Sequence, residues 1–495
     1  SYGEQKLTIL HTSEHHGSLL PIESPGETKV GGMAARAALI AAIRRETDGL
    51  LLVDSGDILI GTTLSSFFRG EPDIGAMNLM GYQAMAAGNH EFDFGLDHLR
   101  RLGKQAQLPI LCSNLMTRGP ELPCHASSVV RVGRLSIGLI GLLGRRNFPD
   151  MVHREAAKAL ELHDPIETAR ALARSLKENQ QVDLVVAITH EETDEDMLLL
   201  AEAPEVDVII GGHTPGFDGL RSSSATGTAA EQEPSSRVFV KTHRQGRTIG
   251  RLDLVIGEQA EGTHRKIRSA KARNVLVTDG IPTDPTVQAL IESYTQKLEE
   301  QAGTVVGRSM VTLDGENSRI RSSETNLGSL LADLMRAKFG TDVALLNSGQ
   351  IRDSIPLGPV NLKRILKVLP FPSSLITFIV TGQQLLSALE NSVSLLPATH
   401  GRFLQVSGLA ISYDLAAPPG SRVRQVIVGQ RPLDASRPYS VTTDVFLADG
   451  GDGYTMFAKA EDRVERQLTL RDLLLEAMST SPLSVCEEGR IRYVR

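Results

Sequence analysis

Five times in the N-terminal half of the chain, a short apolar run leads into a turn that carries oxygen or nitrogen donors. Leu7 to His11 leads to Glu14-His15-His16, and Leu50 to Val53 leads to Gly56-Asp57. Met77 to Met85 leads to Gly88-Asn89-His90-Glu91-Phe92-Asp93. Leu184 to Ile188 leads to Thr189-His190, and Val206 to Ile210 to Gly211-Gly212-His213. An Ala-rich helical pattern spans Met33 to Arg45, and Pro109 to Cys112 and Leu135 to Ile140 share the strand character. Strands at this spacing with intervening helices predict a layered α/β domain. Functional loops in such sheets gather at the carboxyl ends of strands, so donors far apart in sequence are expected to meet.

The donors suit a pair of divalent ions. Cleaving a phosphate ester requires neutralising an anionic centre, generating hydroxide near neutral pH and assisting the leaving oxygen, and two ions about 4 Å apart can do all three. Asp57 is the natural bridging carboxylate, Glu14 and His16 face one ion, and Asn89, His190 and His213 complete the other. This mixture of imidazole, carboxylate and amide favours manganese, zinc, iron or cobalt over calcium. Asp93, three residues after His90, is placed to hold that imidazole in one tautomer. A lone histidine at a strand end is more often satisfied structurally than bound to metal. The ligand reading rests on these residues all falling at strand ends together. His11, inside a predicted strand, and His15 are read as structural, and Glu91 as a helix-start residue without a chemical role.

At 495 residues the chain is too long for one ordinary core. The helical pattern Pro285 to Ala302 is the expected connector, giving a first domain over 1–281, a linker over 282–303 and a second domain over 304–495. Strands at Ala344 to Leu346 and Leu375 to Val380 and helices at Leu327 to Phe339 and Gln383 to Ser394 furnish the second domain. The Ser-, Thr- and Gly-rich stretch Ser222 to Ser236 reads as a mobile surface loop. Net charge is −7, which argues against a nucleic-acid polymer as partner, and an anionic substrate would need the metals as its positive site. No apolar stretch approaches the ~20 residues that span a bilayer. Cys112, Cys124 and Cys486 are too few for a disulfide scaffold, although the first two are close enough in sequence to pair. Ser1 in place of Met leaves room for a removed leader, and the residues alone leave the compartment open.

The motifs around Glu14 and His16, Gly31-Gly32-Met33-Ala34-Ala35-Arg36, Gly56-Asp57, Gly88-Asn89-His90-Glu91, His190 and Gly211-Gly212-His213 resemble the calcineurin-like metallophosphoesterase domain. Their order is similar to that of the 5′-nucleotidase family, which includes UDP-sugar hydrolases and cyclic-nucleotide phosphodiesterases. The likeness continues through Asn347-Ser348-Gly349-Gln350-Ile351-Arg352, Pro370-Phe371 and Phe446 to Tyr454. It implies a four-layer α/β/β/α sandwich joined by a helix to a smaller α/β substrate-binding domain. It also implies phosphate release from a nucleotide or related organic phosphate, two divalent ions, and a periplasmic or extracellular setting. By the same resemblance His90 stabilises the transition state with Asp93 as its partner. Arg321 and Arg352 hold the substrate's charged groups, Phe371 and Phe446 sandwich the base, and Asn347, Gly349 and Asp452 complete the pocket. A swing about the connector is implied to deliver the phosphate.

Three positions depart from the family pattern: Glu14 replaces the usual Asp, Pro215 replaces a ligand residue, and Asn317 replaces a substrate arginine. A water, Asp218, or Glu14 chelating through both oxygens would fill the metal gap, or the site binds loosely. Two rival functions follow. One is a sulfur-oxidation-type dimetal thiohydrolase acting on a carrier protein, and the other a metal-depleted, non-catalytic nucleotide-binding module.

Overall fold

A computed structural model of the chain describes residues 3–22, 29–149, 151–229, 231–232, 237–257, 265–371, 373–484 and 489–494. The chain divides into two compact units, Ser1–Gln296 and Lys297–Arg495, with the division inside the helix Pro285–Gln301.

The first unit holds two seven-stranded sheets. In one, the strands Gln5–Thr12, Leu50–Asp54 and Ala84–Ala86 are parallel neighbours. In the other, Leu135–Leu143, Leu184–His190, Val208–Gly211 and Val238–Lys241 run parallel in that order. Alternate residues of both sheets (Ile9, Val53 and Ala86 from one, Leu139, Val186 and Ile210 from the other) share one core, so the sheets stack face to face. The intervening residues are buried too. Val185 and Ala187 pack with Ala169 and Leu199 of the helices Pro165–Asn179 and Thr193–Glu202. Leu10, Leu52 and Met85 point the other way, on the side of the helices Met33–Glu46 and Glu71–Met80. The order is helix, sheet, sheet, helix.

The second unit has a five-stranded sheet ordered Leu404–Ser407, Val343–Asn347, Pro438–Asp444, Ser374–Thr381, Glu461–Thr469. The helices Asn326–Phe339 and Leu470–Thr480 pack through one core and Gly382–Val393 through another, so the sheet is covered on both faces.

Two sequence expectations change. The run Met77 to Met85 is the last turn of a helix, closed at Gly81, followed by a strand of three residues. A short apolar run does not distinguish helix from strand by periodicity. The expected loop Ser222 to Ser236 contains the strands Ala225–Ala229 and Glu231–Gln232, each paired at a sheet edge. Residues 230 and 233–236 of that stretch, and Cys486, lie outside the described residues. Cys112 and Cys124 form a disulfide with their Cα atoms 5.8 Å apart.

His11, 2% exposed in the first strand, has a buried Nδ1 without a hydrogen-bond partner. Burial lowers its imidazole to about 3, whereas the unfolded chain takes a proton below about 6.5. The stability that depends on a neutral His11 is therefore fully present above about pH 6.5 and lost as the pH falls toward 3. At pH 5 the loss comes to about 2 kcal/mol. Melting curves of His11→Leu and the unmodified chain should diverge between pH 7 and pH 5, the variant being less acid-sensitive. Parallel curves would refute the assignment.

Candidate active site

The parallel strands of both sheets deliver their carboxyl ends to one edge of the sandwich. His190 Nδ1 donates to the Ser55 carbonyl at 2.8 Å and Ser55 Oγ donates to the Ile210 carbonyl at 3.3 Å, which ties the two sheets together there. Glu14, Asp57, His190 and His213, each from a different turn, bring one ligand atom apiece within 4.8 Å of one another. This group draws from both of the ligand sets expected from sequence. His16 joins it through Glu14, with its Nε2 2.8 Å from Glu14 Oε2. His16 Nδ1–H donates to the Ile60 carbonyl at 2.9 Å, which turns Nε2 toward the site. Asn89 Oδ1 lies 3.1 Å from His190 Nε2.

The backbone is strained where these side chains converge. Glu14, His16, Asp57 and His213 have φ of 52°, 44°, 57° and 69°, a left-handed conformation uncommon for such residues and frequent at functional sites. Gly88 faces Asp57 so closely that a Cβ there would lie 2.2 Å from Asp57 Oδ1.

The charge pattern fits a cation. Asp57 is 1% exposed and its Oδ1 accepts from the His90 amide at 2.9 Å. Its Oδ2 lies 3.0 Å from His190 Nε2 but outside hydrogen-bond direction, so a buried carboxylate oxygen has no donor. Burial alone would raise the Asp57 carboxyl, but His190, His90 and His16 outweigh it and hold it well below the usual range. Burial likewise opposes charge on His190, yet Asp57 and Glu14 push it up to about 10. A pocket that polarises its own histidines this way attracts positive charge, and a donor set of imidazole, carboxylate and amide suits a divalent ion.

His90 stands beside this cluster. Its Nδ1 donates to Asp93 Oδ2 at 2.7 Å and its Nε2 is 4.0 Å from Asp57 Oδ2. Burial works against its protonated form, but Asp93 and Asp57 favour that form more and raise the imidazole overall.

The departures at Glu14 and Pro215 also have a geometry. Glu14 uses both oxygens, Oε2 toward His16 Nε2 and Oε1 accepting the His213 amide at 2.7 Å. Asp218 does not fill the gap. Its side chain is 87% exposed and accepts from Asn274.

Three supporting residues went unread in the sequence. Glu91 does start a short helix, but its buried carboxylate also accepts the amides of Gly88, Asp57 and Ile58 at 2.6–2.8 Å, clamping two ligand-bearing turns together. Its place beside Asn89-His90 was the available signal. Asn147 donates its amide to Asn89 Oδ1 at 3.1 Å, and Glu192 Oε1 lies 3.5 Å from His213 Nε2. Nothing in the sequence pointed to Asn147. His15, read as structural, bonds Asp73 at 2.6 Å and Arg36 at 2.8 Å.

In the second unit, Asn347 Nδ2 donates to Asp452 Oδ2 at 3.3 Å, while Asn347 Oδ1 is buried without a partner. The Gly349 amide donates to the Gly401 carbonyl at 3.0 Å. Arg321, whose buried Nε is also unpartnered, is lowered by burial and by Arg352, with Asp452 opposing. The Arg352 guanidinium lies 5.8 Å from the centre of the Phe371 ring. Phe371 and Phe446 are 46% and 47% exposed, large apolar rings left open to solvent.

Comparisons with known proteins agree with this arrangement. Residues 7–217 match the calcineurin-like phosphoesterase family and residues 305–459 match the 5′-nucleotidase C-terminal domain. A Vibrio vulnificus 5′-nucleotidase is 30% identical, with 99% of this chain and 93% of that protein aligned. A 5′-nucleotidase precursor from Thermus thermophilus has a crystal structure that is 32% identical, with 99% of each chain covered and a TM-score of 0.59. The Haemophilus influenzae NAD nucleotidase shares the fold at a TM-score of 0.80, with 20% identity and 99% of each chain covered. The fold and the donor set define a calcineurin-like metallophosphoesterase, a hydrolase that works with divalent metal ions. The chain belongs to the 5′-nucleotidase family.

Proposed function

We propose that this chain releases phosphate from nucleotides, UDP-sugars and cyclic nucleotides being further candidates, and that Glu14, His16, Asp57, Asn89, His190 and His213 hold two divalent ions. Manganese, zinc, iron and cobalt are the candidates. The observation that carries the reading is the meeting of Glu14, Asp57, His190 and His213 from four separate turns. Bound there, divalent ions neutralise phosphoryl oxygens and lower the pKa of a water.

The chain's own groups perform the rest. His90, held by Asp93 and with its protonated form favoured by Asp93 and Asp57, presents Nε2–H to the charge that spreads onto oxygen during phosphoryl transfer. Glu91 and Asn147 fix Asp57 and Asn89, so the ligands need not reorganise. Arg352 and Arg321 take anionic groups of the substrate, for which a planar guanidinium fork is suited. Phe371 and Phe446 stack the base, a contact contributing about 1–3 kcal/mol per base. Asn347 Oδ1 offers an unused acceptor, with Asp452 and Gly349 beside it. A thiohydrolase acting on a carrier protein has no use for two solvent-facing aromatic plates, and a non-catalytic module has none for the His90–Asp93 pair.

The domain assignment goes with this reading: catalytic over 1–281, linker over 282–303 and nucleotide-binding over 304–495. The Cys112–Cys124 disulfide supports a periplasmic or extracellular location, since such bonds persist in oxidising compartments.

Phosphate release from AMP tests the function. Protein stripped with chelator should lose at least about 100-fold in rate and regain it with Mn²⁺. If no nucleotide or cyclic nucleotide is hydrolysed with manganese, zinc, iron or cobalt, the reading fails.

A further inference from the structure

Lys241 is among the largest fully buried side chains of the protein, at 1% exposure. A buried ammonium costs several kcal/mol in lost hydration unless its donors and its charge are matched. Here both are matched. Its three N–H donors meet three oxygens: Thr214 Oγ1 at 2.6 Å, Thr193 Oγ1 at 3.1 Å and the Glu191 carbonyl at 3.3 Å. Its charge faces Asp196 Oδ2 at 3.7 Å, and Asp196 Oδ1 accepts from Thr189 Oγ1 at 2.5 Å.

The partners share a position in the chain. Thr189 and Glu191 flank His190, and Thr214 follows His213. Lys241 ends the strand Val238–Lys241, where it pairs with Gly211, two residues before His213. Gly211 leaves room for the pair, because a Cβ there would lie 3.0 Å from Asp196 Oδ2 and 3.4 Å from Lys241 Cδ. The His190 and His213 rings are 5.0 Å apart, on separate turns that this ammonium and its carboxylate help to join behind the site, beside a direct Thr193–Thr214 hydroxyl contact at 3.2 Å.

We infer that Lys241, neutralised by Asp196, is a positioning residue that locks the turns carrying His190 and His213 in one register and so sets the spacing of the two imidazoles. The inference rests on the reading of both histidines as metal ligands. Side chains that orient ligands in this way typically change metal affinity 10–100-fold when lost.

Calorimetric titration with Mn²⁺ tests it, using the full chain, the variant Lys241→Met/Asp196→Asn and the variant Thr214→Val. The double variant removes both charges of the pair together and leaves beside them the buried Glu191 carboxyl, which burial pushes well above the usual range. It should bind Mn²⁺ 10–100-fold more weakly, with kcat recovering at high Mn²⁺ and the KM for AMP unchanged. Thr214→Val, which removes one oxygen and keeps the pair, should weaken Mn²⁺ binding by a smaller factor and decides the matter if the double variant does not fold. A folded variant whose Mn²⁺ affinity stays within twofold of the unmodified chain overturns the inference. An unmodified chain that binds no Mn²⁺ would instead overturn the ligand reading beneath it.

Discussion

Asp57→Asn should cut kcat/KM for AMP by about 10³-fold or more, the scale of loss when one member of a set acting as a unit is removed. It should also leave fewer than two metal ions per chain. The substitution is chosen because little else changes. Asn keeps the size of Asp, its Oδ1 can still accept the His90 amide now bonded at 2.9 Å, and Asn tolerates the left-handed φ of 57°. What changes is the other terminal atom. An NH₂ replaces the buried Oδ2 that has no donor, and it faces His190 Nε2 at 3.0 Å, where a second donor is repelled. The variant should therefore melt lower than the unmodified chain, because the buried His190 loses the carboxylate that balances it, and should fail in metal binding and turnover together. Retention of two equivalents of metal and a tenth of the activity would show that Asp57 is not the bridge.

The donors of this cluster were legible because each is announced locally, by an apolar run and a turn holding His, Asp or Asn. Glu14, Asp57, His190 and His213 sit far apart in sequence but at equivalent places in the strands, and a parallel sheet brings such places together. The groups that hold those donors were not legible. Glu91 bonds the amides of Asp57 and Ile58, more than thirty positions away, and a carboxylate at a helix start reads as a cap whatever else it does. Asn147 and Lys241 bond turns distant in sequence, contacts set only by tertiary packing. The stretch after Leu220 shows the opposite failure. Its Ser, Thr and Gly content predicts a loop, but pairing of Leu220 with Ala229 and of Glu231 with Lys271 makes edge strands, a tertiary effect that composition does not carry. The Cys112–Cys124 bond likewise depended on a Cα separation that spacing alone does not fix.

His90→Gln should lower kcat by about 10²–10³-fold with KM for AMP little changed, the pattern of a contact made only in the transition state. His90 is not one of the six assigned ligands and its Nδ1 is committed to Asp93, so two equivalents of metal should still bind. The geometry predicts this separation. Nε2 stands 4.0 Å from Asp57 Oδ2, close enough to share the phosphoryl group's environment, while Nδ1 is committed to Asp93 at 2.7 Å. Gln keeps a donor but not the positive charge that Asp93 and Asp57 sustain on the imidazole, and charge-assisted hydrogen bonds are roughly twice as strong as neutral ones. Asp93→Asn should show a milder form of the same loss, because the ring stays in place and only its charge and tautomer lose support. Steady-state kinetics of both variants with AMP, beside metal analysis, decide the point. If His90→Gln instead raises KM at constant kcat, or loses a metal ion, the residue binds ground-state substrate or metal, and the catalytic role passes to another group.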